Sequence, residues 1–142
     1  MRIAYIRFGF LLILLFWLQI LQANTTEEKK LIKAIKIGDE KYIIAALKER
    51  PDTDCEFSNG KSGLYYTIVY DQPIITKLFL DKGADPNHVS GKYPLLFWAI
   101  KYDRNRIARL LIEFGANVNY RDKKLNTPLI FAVGYNNILV IS

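Results

Sequence analysis

The sequence predicts an all-helical solenoid of repeated helix-turn-helix units, joined by short hairpins and preceded by an N-terminal hydrophobic helix. Three observations support this fold class. A small residue recurs at intervals of 33, 32 and 33 positions, at Ala34, Thr67, Ala99 and Ala132. The segment Gly-Ala-(Asp or Asn)-X-Asn occurs twice, at residues 83–87 and 115–119. An uncharged apolar run covers residues 8–21. The chain is therefore divided here into an N-terminal segment, 1–23, and one repeat domain, 24–142.

The N-terminal segment has the layout of a secretory signal peptide. Arg2 and Arg7 make its start positive, the apolar run follows, and Ala23 supplies a small residue for cleavage. As a helix the run would extend about 21 Å, short of the roughly 30 Å hydrocarbon core of a bilayer. The sequence favours cleavage after Ala23 and export to the periplasm or the exterior. Retention as a membrane anchor, with the repeats outside the cytoplasm, is the alternative.

The repeat units follow from helical spacing on either side of each small residue. A leucine precedes it by three positions, at Leu31, Leu64, Leu96 and Leu129, and an apolar residue follows it by eight, at Tyr42, Ile75, Ile107 and Val140. These two sets predict a first and a second helix in units of about 27–58, 59–90, 91–122 and 123–142. The fourth unit stops soon after its second helix begins, with the apolar segment 138–141 uncovered.

Glycine, proline and capping residues predict the ends of these helices. Gly83 and Gly115 follow the second helices, where a left-handed residue is favoured. Three prolines stand near helix starts, at Pro73, Pro94 and Pro128. Asp71 and Asp103 stand between paired helices and are predicted to cap the second one. Thr25 and Glu28 have the spacing of a capping box at the start of the first unit.

Composition and charge narrow the range of functions that the sequence predicts. With 51% hydrophobic and 24% charged residues the chain is of the folded globular class, and its net charge of +6 is not gathered into a basic helix face that would predict nucleic-acid binding. Cys55 is the single cysteine and His88 the single histidine, so no disulfide, metal site or catalytic pair is predicted. No phosphate-binding glycine loop occurs. We therefore predict a protein that is not an enzyme and uses no cofactor or metal.

The first helices carry a recognisable motif. "NTPLIFA" at residues 126–132, "KYPLLFWA" at 92–99 and "KSGLYYT" at 61–67 resemble the Thr-Pro-Leu-His-X-Ala motif of ankyrin repeats. The sequence departs from that motif at Ile130, at Ser62 with Gly63, and at Pro94, which lies one position further from the alanine. The resemblance implies a module that binds another protein through its concave face and hairpin tips.

The resemblance also indicates which residues would contact that partner. Three residues after the small position stand Tyr70, Tyr102 and Tyr135, which we expect at the border of the concave face as a tyrosine column. Packing between units is the alternative role for these rings. Six basic or hairpin residues would edge the same surface: Lys101, Lys61, His88, Lys92, Arg121 and Lys123. Six larger apolar residues are expected in the core instead: Tyr65, Tyr66, Phe97, Trp98, Ile130 and Phe131.

The incomplete fourth unit leaves further readings open. An uncovered apolar face is a place for docking or self-association. The chain is alternatively a membrane-tethered scaffold, or a truncated remnant of a longer repeat protein. The identity of the partner does not follow from a repeat frame.

Overall fold

The computed structural model describes residues 2–49 and 52–135. It divides into two compact units, residues 1–30 and residues 31–142. Helix α1 (Arg2–Ile37) contributes residues to both. In the described ranges no helix combines the length and apolar character needed to cross a membrane. The capping box predicted at Thr25 is wrong for the full chain, because α1 runs through this residue and the Thr25 hydroxyl donates to the carbonyl of Gln22 at 2.9 Å.

Six further helices and one small hairpin make up the rest of the described chain. The helices are α2 (Glu40–Glu49), α3 (Gly63–Val69), α4 (Pro73–Asp81), α5 (Leu95–Lys101), α6 (Asn105–Glu113) and α7 (Pro128–Gly134). Strands β1 (Val89–Ser90) and β2 (Tyr93–Pro94) pair antiparallel. First helices pack on first helices, α3 on α5 and α5 on α7, while second helices stack as α2, α4 and α6. This repeated helical architecture confirms the predicted helix pairs; the fourth unit's second helix lies outside the described residues.

The turn inside each helix pair uses one left-handed residue. Gly38, Asp71 and Asp103 occupy this position with φ of 73°, 53° and 56°. The prediction that the two aspartates cap the following helices is wrong, since α4 and α6 begin after Gln72 and Arg104 with no side-chain cap bond. Aspartate suits the position because its short polar side chain tolerates a positive φ better than most.

The residue after this turn ties each unit to the one before it. Gln72 donates from Nε2 to the carbonyl of Lys36 at 3.1 Å, and Arg104 donates from Nε to the carbonyl of Ile68 at 3.2 Å. Both acceptors belong to the last turn of a first helix, where carbonyls lack a partner within the helix. The same repeat position thus donates a side-chain hydrogen bond to a carbonyl at the end of the preceding first helix, at two successive unit boundaries.

The glycines that close the second helices adopt the predicted conformation. Gly83 has φ of 92° and Gly115 has φ of 96°, and the following alanine N–H groups bond back into the helix. This confirms the left-handed cap at both positions.

The asparagine that ends the Gly-Ala-X-X-Asn segment links one corner to the next. Asn87 accepts at Oδ1 from the backbone N–H of Asn117 at 2.6 Å. Asp54, one unit earlier, accepts from the N–H of Asp85 at 3.0 Å. At the first of the two segments, the last side chain therefore supports the backbone of the following unit.

The core lies between the stacked first helices and their partners. The recurring leucines Leu31, Leu64 and Leu96 are buried, at 7%, 1% and 2% exposure. Leu129 and Ile130 are 51% and 53% exposed, so the core position predicted for Ile130 is wrong. The physical reason is that α7 packs on α5, and no helix in the described part of the chain follows it on the other side.

Candidate functional site

In the second, third and fourth units, the first helix (α3, α5 and α7) carries two aromatic residues four positions apart. Residues at this spacing lie on one helix face, so their rings meet. The ring centroids are 6.2 Å apart for Tyr66 and Tyr70, 5.9 Å for Trp98 and Tyr102, and 4.7 Å for Phe131 and Tyr135. We call these six residues the aromatic pairs. The second residue of each pair is the helix C-cap residue, so Tyr70, Tyr102 and Tyr135 lie at corresponding ends of α3, α5 and α7.

Tyr65 joins the first pair to the second. Its ring meets Trp98 edge-on at 5.2 Å and Tyr66 at 5.5 Å. Burial, and next the hydrogen bond between the Tyr65 and Tyr102 hydroxyls, raise the pKa of Tyr65 above its ordinary value. Tyr65 therefore couples two units through its ring and its hydroxyl at once.

Tyr93 and Phe97 continue the contacts to the third pair. The Tyr93 ring stacks on Phe97 at 5.9 Å and lies 5.6 Å from both Trp98 and Phe131. Phe97 in turn lies 4.9 Å from Phe131. The rings form one network from α3 to α7.

Two lysines lie over the indole ring of Trp98. Lys61 Nζ is 4.5 Å from the ring centroid of Tyr65 and 4.8 Å from that of Trp98, and it donates to the carbonyl of Ser90 at 3.4 Å. Lys101 Nζ is 4.9 Å from the Trp98 centroid. These are cation–π distances, so Lys61 and Lys101 bring positive charge to the aromatic network.

Two more cations lie over rings of the network. Lys36 Nζ lies 5.7 Å from the Tyr70 ring and Lys92 Nζ lies 5.3 Å from the Tyr93 ring. Lys36 belongs to the first unit and was not among the residues that the sequence singled out. With Lys36, lysines lie over rings of the first two aromatic pairs.

The tyrosine column is partly buried and partly open. Tyr70 and Tyr102 are half-buried against their own aromatic pairs, whereas Tyr135 is 50% exposed. Each ring thus packs against a neighbouring ring and keeps part of its surface exposed. The binding role of the column stays a prediction.

The remaining hairpin candidates lie apart from the aromatic pairs. His88 is half-buried, with Nε2 3.7 Å from Glu56 Oε1, and among the described residues that nitrogen has no hydrogen-bond partner. Arg121 and Lys123 are exposed on the hairpin before α7. Asp122 shapes that hairpin: burial acts to raise its pKa, but hydrogen bonds from the Asn126 backbone and side chain and from the Lys124 backbone lower it on balance.

Sequence reasoning identified one member of each aromatic pair and assigned the other to the core. Trp98 and Phe131 are indeed buried, at 8% exposure each, while Tyr66 is half-buried. The missed signal was the spacing of four residues between Tyr66 and Tyr70, repeated at Trp98 and Phe131. That spacing alone would have predicted ring contact.

The chemical groups at this surface are aromatic rings and lysine ammonium groups. Within the ranges 2–49 and 52–135, no three His, Cys, Asp or Glu side chains are grouped so as to hold a metal ion. Rings with one free side and ammonium groups above them suit a surface that buries apolar groups and attracts negative charge.

Residues 75–142 match the family model described as "Ankyrin repeats (3 copies)". No curated protein matches the chain.

Proposed function

We propose that this chain, which belongs to the ankyrin-repeat family through residues 75–142, binds another protein over the aromatic pairs and the lysines around them. Ankyrin repeats are in general protein–protein interaction modules. The observation that carries the proposal is the recurrence of the aromatic pair at one repeat position in three successive units. A solenoid needs stacked units for stability, but it does not need a partly open ring at the same end of each first helix.

The rings are suited to recognition because they are already ordered. Tyr70, Tyr102 and Tyr135 pack on rings of their own helices, so a partner would pay little side-chain entropy to bury them further. No hydrogen bond to the hydroxyl of Tyr70 or Tyr135 is made within the described residues. Both hydroxyls are therefore available to a partner.

Export is the second part of the proposal. The positive start, apolar run and small residue of segment 1–23 support a periplasmic or secreted protein, with a membrane-anchored form facing outside the cytoplasm as the alternative. The mass of the protein isolated from its own cell distinguishes these forms. A chain that begins at Asn24 supports export with cleavage, and a full-length chain in the membrane fraction supports the anchor.

Binding is tested with a Tyr70→Ala/Tyr135→Ala variant, which spares the Tyr102 bond to Tyr65. The matched control removes exposed apolar side chains elsewhere, as Ile44→Ala/Val118→Ala. Partners captured from the extracytoplasmic fraction are identified, and their affinities for purified variants are measured by calorimetry. We expect the tyrosine variant to lose about 2 kcal/mol or more of binding free energy, roughly 30-fold in Kd, and the control to lose little. Equal affinities for a folded tyrosine variant and the parent chain would assign the column to packing alone.

A further inference from the structure

The second helices α4 and α6 enclose a groove on the layer of the molecule formed by second helices. Its volume is about 390 Å³, and its lining includes Ile74 and Lys77 from α4 and Arg106, Arg109, Leu110 and Glu113 from α6. None of these residues belongs to the aromatic pairs. We call this the outer groove.

The charges of the outer groove are not balanced within it. Arg106 and Arg109 are exposed and three residues apart on α6, so two like charges lie on neighbouring helix positions. Neither guanidinium has an ion pair or hydrogen bond within the described residues. Lys77 is neutralised by Asp81 at 2.8 Å, which leaves Glu113 as the one lining carboxylate against two uncompensated arginines.

An apolar floor accompanies these charges. The Ile74 side chain is 58% exposed, and Leu110 is half-buried beside it. A bound side chain could cover Ile74 while carboxylates meet the guanidinium groups. Arginine is suited to this role because its planar group can bind a carboxylate through two parallel hydrogen bonds.

We propose that the outer groove binds an acidic polypeptide segment that carries an apolar side chain between its carboxylates. Charge complementarity selects the acidic groups, and the exposed isoleucine selects the apolar one. A single inorganic anion would leave most of the groove volume and the whole of Ile74 uncovered. This surface is distinct from the aromatic pairs, and it does not depend on their proposed role.

The test uses the full chain and a fluorescein-labelled peptide, Glu-Glu-Leu-Leu-Glu-Glu, with binding followed by fluorescence anisotropy at low ionic strength. The groove variant is Arg106→Ala/Arg109→Ala. The matched control is Lys41→Ala/Lys48→Ala, which removes the same charge from exposed positions of α2. We expect the groove variant to bind about 10-fold more weakly or worse, and the control to stay within about twofold of the parent chain.

Two further arms separate this proposal from general attraction to a basic protein. Replacing both leucines of the peptide by glycine, or Ile74 by Ala in the protein, should weaken binding severalfold. The proposal is overturned if the parent chain does not bind the peptide, or if the groove and control variants lose affinity equally. It is also overturned if the glycine peptide binds as well as the leucine peptide, or if millimolar inorganic phosphate displaces the peptide at constant ionic strength, since either result would describe a site for small anions.

Discussion

The helix pairs α3–α4 and α5–α6 share one backbone frame. Asp71 and Asp103 make the same left-handed turn between the helices, and Gly83 and Gly115 make the same left-handed cap after them. The two pairs therefore turn and end alike. They differ at the start of the first helix, where Ser62 accepts a capping hydrogen bond and Pro94 does not, and in the side chains that fill the space between the helices.

The first difference concerns volume. In α3–α4 a Cβ atom added to Gly63 would lie 2.6 Å from Phe79 Cε1, so the ring occupies the space that a side chain at residue 63 would need. In α5–α6 the corresponding residues are Leu95 and Leu111, both fully buried. In one unit the phenylalanine ring alone fills this part of the core, whereas in the next unit two leucine side chains fill it.

The second difference concerns polarity. Thr67 and Thr76 are both fully buried in α3–α4, with hydroxyl oxygens 2.9 Å apart. Alanines, Ala99 and Ala108, stand at these positions in α5–α6. The comparison shows that a repeat frame tolerates different interiors when both facing positions change together.

The largest expected effect comes from breaking the glycine–phenylalanine match. Gly63→Leu should lower the free energy of unfolding by about 3 kcal/mol, because the new side chain meets the Phe79 ring. Adding Phe79→Leu recreates the arrangement of α5–α6 and should recover about 1–2 kcal/mol. Urea unfolding followed by circular dichroism measures both. Gly134→Ala, with open space around its added carbon, is the control and should not destabilise the chain. A double variant no more stable than Gly63→Leu alone would contradict the volume argument.

A smaller effect is expected from the threonine pair. Thr67→Val keeps the volume but replaces the oxygen that accepts from Thr76 with a methyl group. Because Thr76 can still donate to the Gln72 carbonyl at 2.9 Å, we expect a cost of about 1 kcal/mol. Replacing Thr76 by Val as well removes both hydroxyls together and should cost no more than the single change. Thermal and urea unfolding of the two variants decide this. A double variant clearly less stable than Thr67→Val alone would contradict this expectation.

The shared frame predicts equal effects in the two units. Gly83→Ala and Gly115→Ala should each cost about 1 kcal/mol, since both glycines have positive φ and open surroundings. Equilibrium unfolding provides the values. A cost confined to one of the two glycines would mean that the units differ in their caps as well as in their interiors.

The smallest expected effect is a loss of folding stability at alkaline pH, and it arises from Tyr65, which contacts the next unit. Burial raises the pKa of Tyr65 above its ordinary value of 10.0, so the folded chain holds this proton more tightly than the unfolded chain. The resulting stability is complete below about pH 10 and declines as the pH rises further. Unfolding free energies from about pH 8 to 11 should fall less steeply for Tyr65→Phe than for Tyr66→Phe. Identical slopes in the two variants would remove Tyr65 from this effect.

Much of the frame could be predicted from the chain because it depends on local chemistry. The period of 32 to 33 residues, the glycine caps and the buried leucines of the first three units all reflect requirements that one residue type meets by itself. The candidate site was foreseen in part for the same reason, since Tyr70, Tyr102 and Tyr135 recur at the repeat spacing. The turn aspartates were misread because capping and left-handed roles favour the same residue.

By itself, then, the sequence determined the period, the helix pairs and the places where the chain turns. Only the tertiary structure decided which side chains share space: Gly63 with Phe79, Thr67 with Thr76, and Tyr65 with Tyr102 across two units. It likewise brought Ile74 on one helix beside Arg106 and Arg109 on another to form the outer groove. The physical reason is that periodicity and turn preference act along the chain, whereas packing volume and uncompensated charge depend on side chains that other helices contribute.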